Sequence, residues 1–376
     1  MVEWKKLGDL LDYEQPTSYL VNSTEYDESY NVPVLTAGQS LVLGYTNETE
    51  GIYQASKENP TIIFDDFTTS FHWIDYKFKV KSSAMKMLRP KKDVNFRYVY
   101  YAMLGINFVP GGHQRHWISK YSNFEIPIPS LSEQQRIVSI LDTFTSSISN
   151  LKQQIEERRK QYEYERDLLL DLEGKEGVEM KKLGEVGVFI RGNGIQKADF
   201  VEEGYSCIHY GQIHARYGFS AKEAISKIEE SLYKKCKKAK TGDVILATTS
   251  EDAEGVAKPF VWLGEEDVAI SGDAFIYHHN QIGKFMGYQF LTRKFMQFKV
   301  KYATGAKVVR ISGDNMAKFE IPLPPLSTQS RIVSILDTFE QSISNLEEQL
   351  AMREKQYEYY RNQLLTFEGE EERGKT

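Results

Sequence analysis

The sequence of 376 residues contains very little cysteine and no long apolar segment. Its only cysteines, Cys207 and Cys236, cannot provide a disulfide framework, which favours a reducing compartment. No uncharged apolar run approaches the roughly 20 residues of a membrane-spanning helix, and no signal-peptide pattern opens the chain. We therefore expect a cytoplasmic protein without a membrane segment.

Motifs for catalysis or cofactor binding are also scarce. The spacing of Cys207, His209 and His214 matches no structural zinc pattern, and no Cys-x-x-Cys pair occurs. The Gly-Asn-Gly at 192–194 lacks the third glycine of a dinucleotide fingerprint and the Lys-Ser ending of a phosphate loop. Neither an Asn-Pro-Pro-aromatic nor an Asp-Pro-Pro-aromatic tetrapeptide, with which an adenine-methylating domain would hold its target, is present. We predict no catalytic residue and no metal site.

One nuclease-like combination keeps an enzymatic alternative open. Asp65 or Asp66, followed by Asp75 and Lys77, could hold Mg²⁺ and activate water. Because an acidic residue two positions before a lysine occurs by chance in most charged chains, we prefer to interpret these residues as a solvated strand edge.

What the chain does contain is a long stretch that occurs twice. Residues 125–170 are repeated at 320–365 in constant register and without a gap. Apolar residues follow one another at alternating spacings of four and three, a heptad pattern typical of coiled coils. The charged positions Arg158 and Arg353 either set the register of pairing at a cost in stability or are solvated edges of the seam. The predicted seam positions are Ile137, Leu141, Phe144, Ile148, Leu151, Ile155, Arg158, Tyr162, Glu165 and Leu169 in the first copy, and Ile332, Leu336, Phe339, Ile343, Leu346, Leu350, Arg353, Tyr357, Tyr360 and Leu364 in the second.

Each copy predicts one long helix. Ser132 and Gln135 resemble a capping box, so the first helix should begin near Glu133 and end near Gly174. A helix of about 39 residues, roughly 58 Å long, needs a partner for its apolar face. Since each copy closes one half of the chain, we predict that the two helices pair antiparallel about a pseudo-two-fold axis.

The two halves also resemble each other outside the helices. Both open with a related phrase, Glu-Trp-Lys-Lys-Leu-Gly at 3–8 and Glu-Met-Lys-Lys-Leu-Gly at 179–184, followed by short β-type runs. Two fainter echoes relate 35–39 to 208–212 and 112–119 to 305–312. The scaffold repeats while its surface changes, as expected for two copies of one domain that recognise different things. The runs are at 33–35, 40–43, 61–64 and 71–80, then at 207–210, 243–248, 259–263 and 268–277, with helices predicted at 96–104 and 284–298.

The net charge of −6 conceals two basic segments. Residues 71–92 carry seven basic side chains against one acidic one, and 231–240 carry five lysines and no acid. Cations interleaved with aromatic residues suit phosphate contacts, and glutamine amides suit base edges because they pair bidentately with adenine. The alternative is that alternating lysines only solubilise one face of a strand.

These motifs and the duplicated layout resemble the specificity subunit of a Type I restriction-modification system, over nearly the whole chain. The resemblance rests on the opening phrase, the Ile-Pro-Leu-Pro-Pro-Leu run at 321–326, and the Gln-Arg-Ile at 135–137. One departure is Ser330, where the first copy has Gln135, so the two surfaces for partner subunits need not be identical.

The resemblance implies an α+β fold with two similar globular α/β target-recognition domains. Two long antiparallel coiled-coil helices would join them, with pseudo-two-fold symmetry. The boundaries would be 1–130 for the first target-recognition domain, 131–173 for the central long helix, 174–178 for a linker, 179–325 for the second target-recognition domain, 326–368 for the distal long helix and 369–376 for an acidic tail.

The resemblance also implies a non-catalytic subunit that reads a bipartite, asymmetric DNA target and directs methylation and restriction by its partners. Those partners would be double-stranded DNA, two methylation subunits and restriction subunits, and the partner subunits would hold S-adenosylmethionine, ATP and Mg²⁺. The alternatives are a stand-alone DNA-modifying or DNA-cleaving enzyme and a coiled-coil scaffold without DNA specificity. We expect contacts to the first half-site from Lys77, Lys79, Lys81, Lys91, Lys92 and Arg115, contacts to the second from Arg216, Lys234, Lys235, Lys237, Lys238, Lys307 and Arg310, and base-edge contacts from Gln39, Gln114 and Gln212.

Overall fold

The computed structural model describes residues 2–36, 41–111, 114–305 and 307–367 and divides into two compact units. Unit 1 contains the chain up to Lys152 and the part from Gln349 onward, and unit 2 contains Gln153–Glu348. The sequence-based division treats each long helix as a separate segment, whereas here each helix contributes one part to either unit. Across the described ranges, no helix combines the length and apolar character that crossing a membrane requires.

Unit 1 is a β-rich domain that precedes the first long helix. Its strands are β1 (Glu3–Lys6), β2 (Leu11–Glu14), β3 (Val32–Leu35), β4 (Val42–Thr46), β5 (Thr61–Asp65), β6 (Phe71–Ile74), β7 (Lys79–Val80), β8 (Met85–Pro90) and β9 (Glu125–Ile128). Its helices are α1 (Leu7–Leu10) and α2 (Phe96–Met103), with 3₁₀ turns at Pro16–Tyr19 and Tyr121–Asn123. Unit 1 also contains the first part of the first long helix, α3 (Leu131–Leu170).

Strand β5 lies at the centre of unit 1. It belongs to an antiparallel sheet of order β2-β8-β5-β6, while β3 pairs antiparallel with β4 and parallel with β7 in a second sheet. Ile62 and Phe64 face a core that contains α2, and Ile63 faces a core that contains Phe78 and Val80. Successive side chains of a strand point to opposite sides. Because a core covers each side of β5, its sequence is a continuous apolar run.

Unit 2 repeats this plan with additional strands. Its strands are β10 (Glu179–Lys182), β11 (Gly187–Arg191), β12 (Phe200–Val201), β13 (Tyr205–Ile208), β14 (Ser220–Ala221), β15 (Ser226–Ile228), β16 (Lys238–Ala239), β17 (Val244–Ala247), β18 (Thr249–Ser250), β19 (Lys258–Trp262), β20 (Val268–Ile270), β21 (Ala274–His279), β22 (Val309–Arg310) and β23 (Glu320–Leu323). Its helices are α4 (Leu183–Val186), α5 (Tyr210–Ala215), α6 (Glu230–Tyr233), α7 (Gly283–Gln289), α8 (Arg293–Tyr302) and α9 (Gly313–Met316), with a 3₁₀ turn at Lys197–Asp199. Unit 2 also contains the first part of the second long helix, α10 (Leu326–Leu365).

Strand β17 is the counterpart of β5. Its five-stranded sheet has the order β11-β21-β17-β19-β14, and a second five-stranded sheet has the order β12-β15-β13-β20-β16. Val244 and Leu246 face one core, and Ile245 and Ala247 face the other. The alternation found at β5 therefore recurs, which explains the similar sequence patterns of the two halves.

Three predicted elements are each divided in two. The strand predicted for 268–277 is two strands, β20 and β21, which belong to different sheets. The helix predicted for 284–298 is broken into α7 and α8, because Thr292 starts a new helix by accepting a hydrogen bond of 3.2 Å from the Phe295 amide. The strand predicted for 71–80 is likewise two strands, β6 and β7, which belong to different sheets.

Both long helices begin at the predicted bounds, 131 and 326, and end at Leu170 and Leu365, before the predicted 173 and 368. Helix α3 starts at Leu131, and its capping oxygen is that of Ser130, which accepts a 3.4 Å hydrogen bond from the Glu133 amide, rather than that of Ser132. A buried glutamine near the start of each helix holds the preceding turn. Gln134 donates to the carbonyl of Pro129, and its equivalent in α10 donates to that of Pro324, both at 2.9 Å.

Within each unit, the α3 and α10 segments run antiparallel. In unit 1, the Phe144 ring stacks on Tyr360 with centroids 5.3 Å apart, and Lys152 pairs with Glu354 at 2.9 Å. Unit 2 contains an ion pair between Arg159 and Glu347 and a hydrogen bond of 3.1 Å from the Tyr162 hydroxyl to Glu340. In both units, the residue number of the α10 partner falls as the residue number on α3 rises. The prediction of antiparallel helices is therefore confirmed.

The heptad seam is also confirmed. Every predicted seam position except Tyr360 is buried or half-buried. Its two charged positions differ. The Arg353 guanidinium lies 5.6 Å from the centroid of the Phe144 ring in the facing helix, whereas Arg158 donates to Gln161 of its own helix at 3.3 Å. Arg353 therefore takes part in seam packing, and Arg158 behaves as a solvated edge.

Candidate nucleic-acid interface

In unit 1, Asp66 joins two of the segments predicted to contact DNA. Its carbonyl accepts a hydrogen bond of 2.9 Å from the His116 amide, and its Oδ1 accepts one of 2.8 Å from the Trp117 amide. Its own amide donates to the Ala84 carbonyl at 3.0 Å. These bonds bring the turn at 81–84 and the segment at 114–117 together at the end of β5. Lys81, Gln114 and Arg115 are exposed there and form no ion pair with any described residue.

Lys79, predicted to contact the first half-site, is buried instead. Only 2% of its side chain is exposed, and its ammonium lies 2.8 Å from the Glu48 carboxylate. The same nitrogen donates to the Glu50 carbonyl at 2.7 Å. Strand β7 is inside the domain because it pairs with β3, so the side chain of Lys79 stabilises the fold and cannot reach a phosphate from this position.

The remaining lysines of the first set lie elsewhere in unit 1. Lys91 follows the end of β8 opposite the turn at 81–84, and its ammonium donates to the Gly8 carbonyl at 2.7 Å and lies 3.7 Å from Asp12. Lys92 is exposed next to it, and Lys77 is exposed just before β7. The predicted first set is therefore distributed over several edges of the unit.

In unit 2, an equivalent junction forms after β17. Strands β18 and β22 pair antiparallel, with Thr249 opposite Arg310. His214 of α5 donates from Nε2 to the Thr249 carbonyl at 3.0 Å, and burial lowers the pKa of His214, which favours the neutral ring. Helix α5, β18 and β22 therefore meet at one site. Arg216, Lys307 and Arg310 are exposed around it, and within the described ranges none of them forms an ion pair.

The described parts of the two faint sequence echoes lie in equivalent places. The Lys81 amide donates to the Leu35 carbonyl at 2.9 Å, and the Ser271 amide donates to the Ile208 carbonyl at 3.1 Å. Each bond lies just beyond a parallel strand pair, β3 with β7 and β13 with β20. Leu35 of β3 and Ile208 of β13 therefore occupy corresponding positions. The segment 114–117, which bonds to Asp66 after β5, corresponds to 307–310, which pairs with Thr249 and Ser250 after β17.

Gln212, predicted to contact a base edge, uses its amide within the fold. Its Oε1 accepts a hydrogen bond of 3.0 Å from the His209 amide, and its Nε2 donates to the Ser226 hydroxyl at 2.7 Å. These bonds cap α5 and attach it to β15, so this amide is not free to read a base. Its echo partner Gln39 lies outside the described residues.

The lysine run at 234–238 lies along the edge of the second sheet of unit 2. Lys234 pairs with Glu230 at 2.8 Å, and this hydrogen bond raises the pKa of the lysine. Lys238 lies 4.7 Å from the centroid of the Tyr233 ring and donates to the Cys236 carbonyl at 3.3 Å. Lys235 and Lys237 are exposed. Their side chains are the two in this run with no side-chain partner among the described residues.

Sequence reasoning missed Lys299, which holds the loop between β18 and β19. Its side chain is 3% exposed, and its ammonium donates to the carbonyls of Glu254, at 2.5 Å, and Val256, at 2.9 Å. Burial lowers the pKa of Lys299 to about 8. The sequence signal for its burial was its position one turn after Phe295, on the apolar face of α8.

Two carboxylates of the nuclease alternative, Asp65 and Asp66, support the fold. Asp65 Oδ1 accepts hydrogen bonds from the amides of Phe67 and Thr68, and Asp66 pairs with buried Lys86 at 3.1 Å. Across the described ranges, no group of three or more histidine, cysteine or acidic side chains could hold a metal. Cys207 lies in an apolar core, where burial raises its pKa to about 12. This arrangement offers cations and amides for recognition.

Comparison with known proteins decides the family. The sequence pattern of the Type I restriction modification DNA specificity domain matches residues 1–158 and again 175–352. The chain belongs to the Type I restriction-modification specificity family. As a member of it, this protein is a specificity subunit with two copies of the DNA specificity domain.

Relatives agree with this assignment. The Type I specificity subunit is 39% identical to the EcoR124I/EcoR124II specificity subunit of Escherichia coli over 384 residues, covering 97% of this chain and 94% of the relative. Its fold is similar to the S subunit of the Type-I restriction-modification system from M. genitalium, with a TM-score of 0.60, 14% identity, and coverage of 98% and 96%. It is also similar, with a TM-score of 0.55, 17% identity, and coverage of 97% and 96%, to a chain solved in work on complex assembly and conformational transition of the type I R-M system.

Proposed function

We propose that this specificity subunit reads a bipartite, asymmetric DNA sequence, one half-site by each unit. The single observation that carries the proposal is that equivalent segments of the two units present different side chains. Gln114 and Arg115 occupy in unit 1 the segment that carries Lys307 and Arg310 in unit 2. Since side chains at such segments determine which base edges can be bound, two units with one scaffold and different surfaces suit two different half-sites.

The cations and the amides have separate roles in this proposal. Lys81 and Arg115 in unit 1, and Arg216, Lys307 and Arg310 in unit 2, are exposed and free of intramolecular ion pairs with described residues. They would hold DNA phosphates and displace counterions, which gives affinity without sequence preference. Gln114, or an arginine turned into the major groove, would supply the base contacts.

The same proposal includes partners that perform the chemistry. Two methylation subunits would dock on this chain and use S-adenosylmethionine, and restriction subunits would use ATP and Mg²⁺, while this subunit holds no cofactor and acts in the cytoplasm. Support comes from two carboxylates of the nuclease-like set, Asp65 and Asp66, which serve the fold, and from two buried free thiols, which suit a reducing compartment. The long helices would fix the number of unread base pairs between the half-sites.

The proposal is tested by mapping methylated bases in DNA from cells that express this chain with its cognate methylation subunit. A motif with two unlike half-sites and a fixed gap is expected. A single uninterrupted motif would contradict the bipartite proposal. The enzymatic alternative predicts that the purified chain with Mg²⁺ cuts or modifies DNA alone, and the scaffold alternative predicts no sequence-dependent DNA binding.

A further inference from the structure

A cavity separate from the candidate nucleic-acid interface lies in unit 2, at the end of α3. A cavity of about 330 Å³ opens between the last turns of α3, strands β10 and β23, and the start of α8. Leu168, Met180 and Phe319 line it. Tyr164, Leu168 and Met180 are 63%, 56% and 41% exposed, so one side of the opening presents apolar side chains to solvent. Exposed apolar side chains around a cavity are typical of a protein-binding surface.

The cavity contains a buried amide without a partner. Gln289 lines the cavity and is 2% exposed, and its Nε2 has no hydrogen-bond partner in the described part of the chain. An unpaired buried amide destabilises a fold, because its bonds to water are lost and not replaced.

The other half of the chain shows that the fold does not require this amide. Tyr288 and Tyr101 occupy equivalent positions, since each donates a hydrogen bond to an equivalent aspartate of a long helix. The residue after Tyr101 is Ala102, whereas the residue after Tyr288 is Gln289. The scaffold therefore accepts alanine here, and the amide of unit 2 is available for a ligand. A carboxamide offers N–H donors and a carbonyl acceptor side by side, so it can pair with both the C=O and the N–H of a peptide group.

The polar side of the cavity carries excess negative charge. Lys294 lies 2.8 Å from Asp171 and 3.4 Å from Glu173. Asp167 Oδ2 is buried 3.4 Å from Arg293 Nε but receives no hydrogen bond from a described residue. With Glu320, the lining has four carboxylates against the two cations of Arg293 and Lys294, and Arg166, 3.1 Å from Asp167 Oδ1, adds a third cation beside it. A bound group with a positive charge would compensate this excess.

We propose that this cavity is the docking site for an extended segment of the methylation subunit. The segment places an aliphatic side chain against Leu168 and Met180, pairs a main-chain peptide group with the Gln289 amide, and carries a lysine or arginine beside Asp171. The inference rests on the proposed function, which requires a partner that performs methylation. It adds where that partner binds and which chemistry it presents.

The other half of the chain supplies substitutions that the scaffold already accepts. Leu168 corresponds to Gln363 in the long-helix repeat, and Gln289 corresponds to Ala102. The variant L168Q/Q289A therefore removes an exposed apolar side chain of the opening and the amide without introducing a residue foreign to the fold. The matched control is Gln363→Ala, which changes the exposed equivalent position on α10 and leaves the cavity intact.

The test measures binding of the purified cognate methylation subunit to the full chain by calorimetry, with stoichiometry from sedimentation. We expect L168Q/Q289A to weaken at least one binding step by about tenfold or more, while the single variant Q289A melts at the same or a higher temperature because an unpaired amide is removed. Wild-type affinity and stoichiometry in both variants would overturn the inference and leave the proposed function intact. No binding by the wild-type chain would overturn both.

A cross-linking experiment tests the chemistry of the segment. A photoreactive residue at position 168 should capture one peptide of the methylation subunit, with an aliphatic residue close to a lysine or arginine. Capture of an acidic peptide, or no capture by a chain that binds normally, would overturn the inference.

Discussion

The hydroxyl of Tyr288 donates a hydrogen bond of 2.9 Å to the carboxylate of Asp337, which joins α7 to the second long helix. Tyr101 makes the equivalent bond to Asp142 at 2.5 Å and joins α2 to the first long helix. In each unit a cation from the same short helix contacts the aspartate. Because the two units share this junction while their candidate DNA-binding segments differ, the junction belongs to the common scaffold.

Removing the hydroxyl should weaken the scaffold without changing recognition. We expect Tyr288→Phe to lower the free energy of unfolding by about 1–3 kcal/mol, since a buried hydroxyl bonded to a carboxylate is lost. Urea denaturation measures the change, and methylation mapping should return the wild-type motif. Tyr359→Phe, which changes an exposed tyrosine of α10, is the control. Equal free energies of unfolding for Tyr288→Phe and the wild type would show that this hydrogen bond contributes nothing to stability.

The features predicted correctly from the sequence depend on local periodicity. The heptad positions of α3 and α10 are on one face of each helix regardless of what surrounds them, so the seam could be read from spacing alone. The buried runs in β5 and β17 were similarly recognisable as strands. Each of the two similar helices closes one half of the chain and needs a partner for its apolar face. Antiparallel packing against each other was therefore the simplest arrangement.

The burial and the partners of individual polar side chains could not be predicted, because they depend on residues that are distant in the sequence. Lys79 is buried because Glu48 and the Glu50 carbonyl receive its ammonium, and both are far from it in the sequence. Gln212 is occupied because Ser226 lies beside it after folding. A lysine or glutamine in an alternating pattern has the same sequence signature whether it binds DNA or supports the fold.

Lys79 and Lys81 form a matched pair that separates these two roles. Lys79→Met should destabilise unit 1 by about 1–3 kcal/mol, because it removes the partner of the Glu48 carboxylate, and should leave the salt dependence of DNA binding unchanged. Lys81→Met should leave stability unchanged and reduce the slope of log K against log salt by about 0.9. Denaturation and binding titrations at several salt concentrations measure both quantities. A reduced salt slope for a folded Lys79→Met would contradict the structural role.

Lys299 predicts a pH-dependent contribution to stability. Its pKa is about 8 in the folded chain against 10.5 as the ordinary value, so between these pH values unfolding takes up a proton. The free energy of unfolding should therefore rise as pH increases from about 8 towards 10.5, and this gain should be lost as pH falls back through 8. Lys299→Met should lack the gain, which urea denaturation across this range measures.

Lys301→Met is the control for that series, because Lys301 is an exposed lysine of the same helix. Its pH dependence should match that of the wild-type chain. If Lys299→Met keeps the wild-type pH dependence as well, the buried ammonium is not the titrating group.

Lys299→Met also loses the two hydrogen bonds that hold the loop between β18 and β19. The variant should therefore bind the second half-site less tightly, with a smaller effect at the first.

The long helices predict how the gap between half-sites can be changed. Deleting 149–155 from α3 and 350–356 from α10 removes one heptad from each helix at facing positions and preserves the seam. The paired helices become about 10 Å shorter, which corresponds to roughly three base pairs of DNA. Methylation mapping should therefore show both half-sites unchanged and the gap shortened. Deleting the heptad from α3 alone should instead mispair the seam and lower stability, because Arg159 is then displaced by one heptad from its place opposite Glu347. An altered half-site in the double deletion, or an unchanged gap, would show that the helices do not set the spacing.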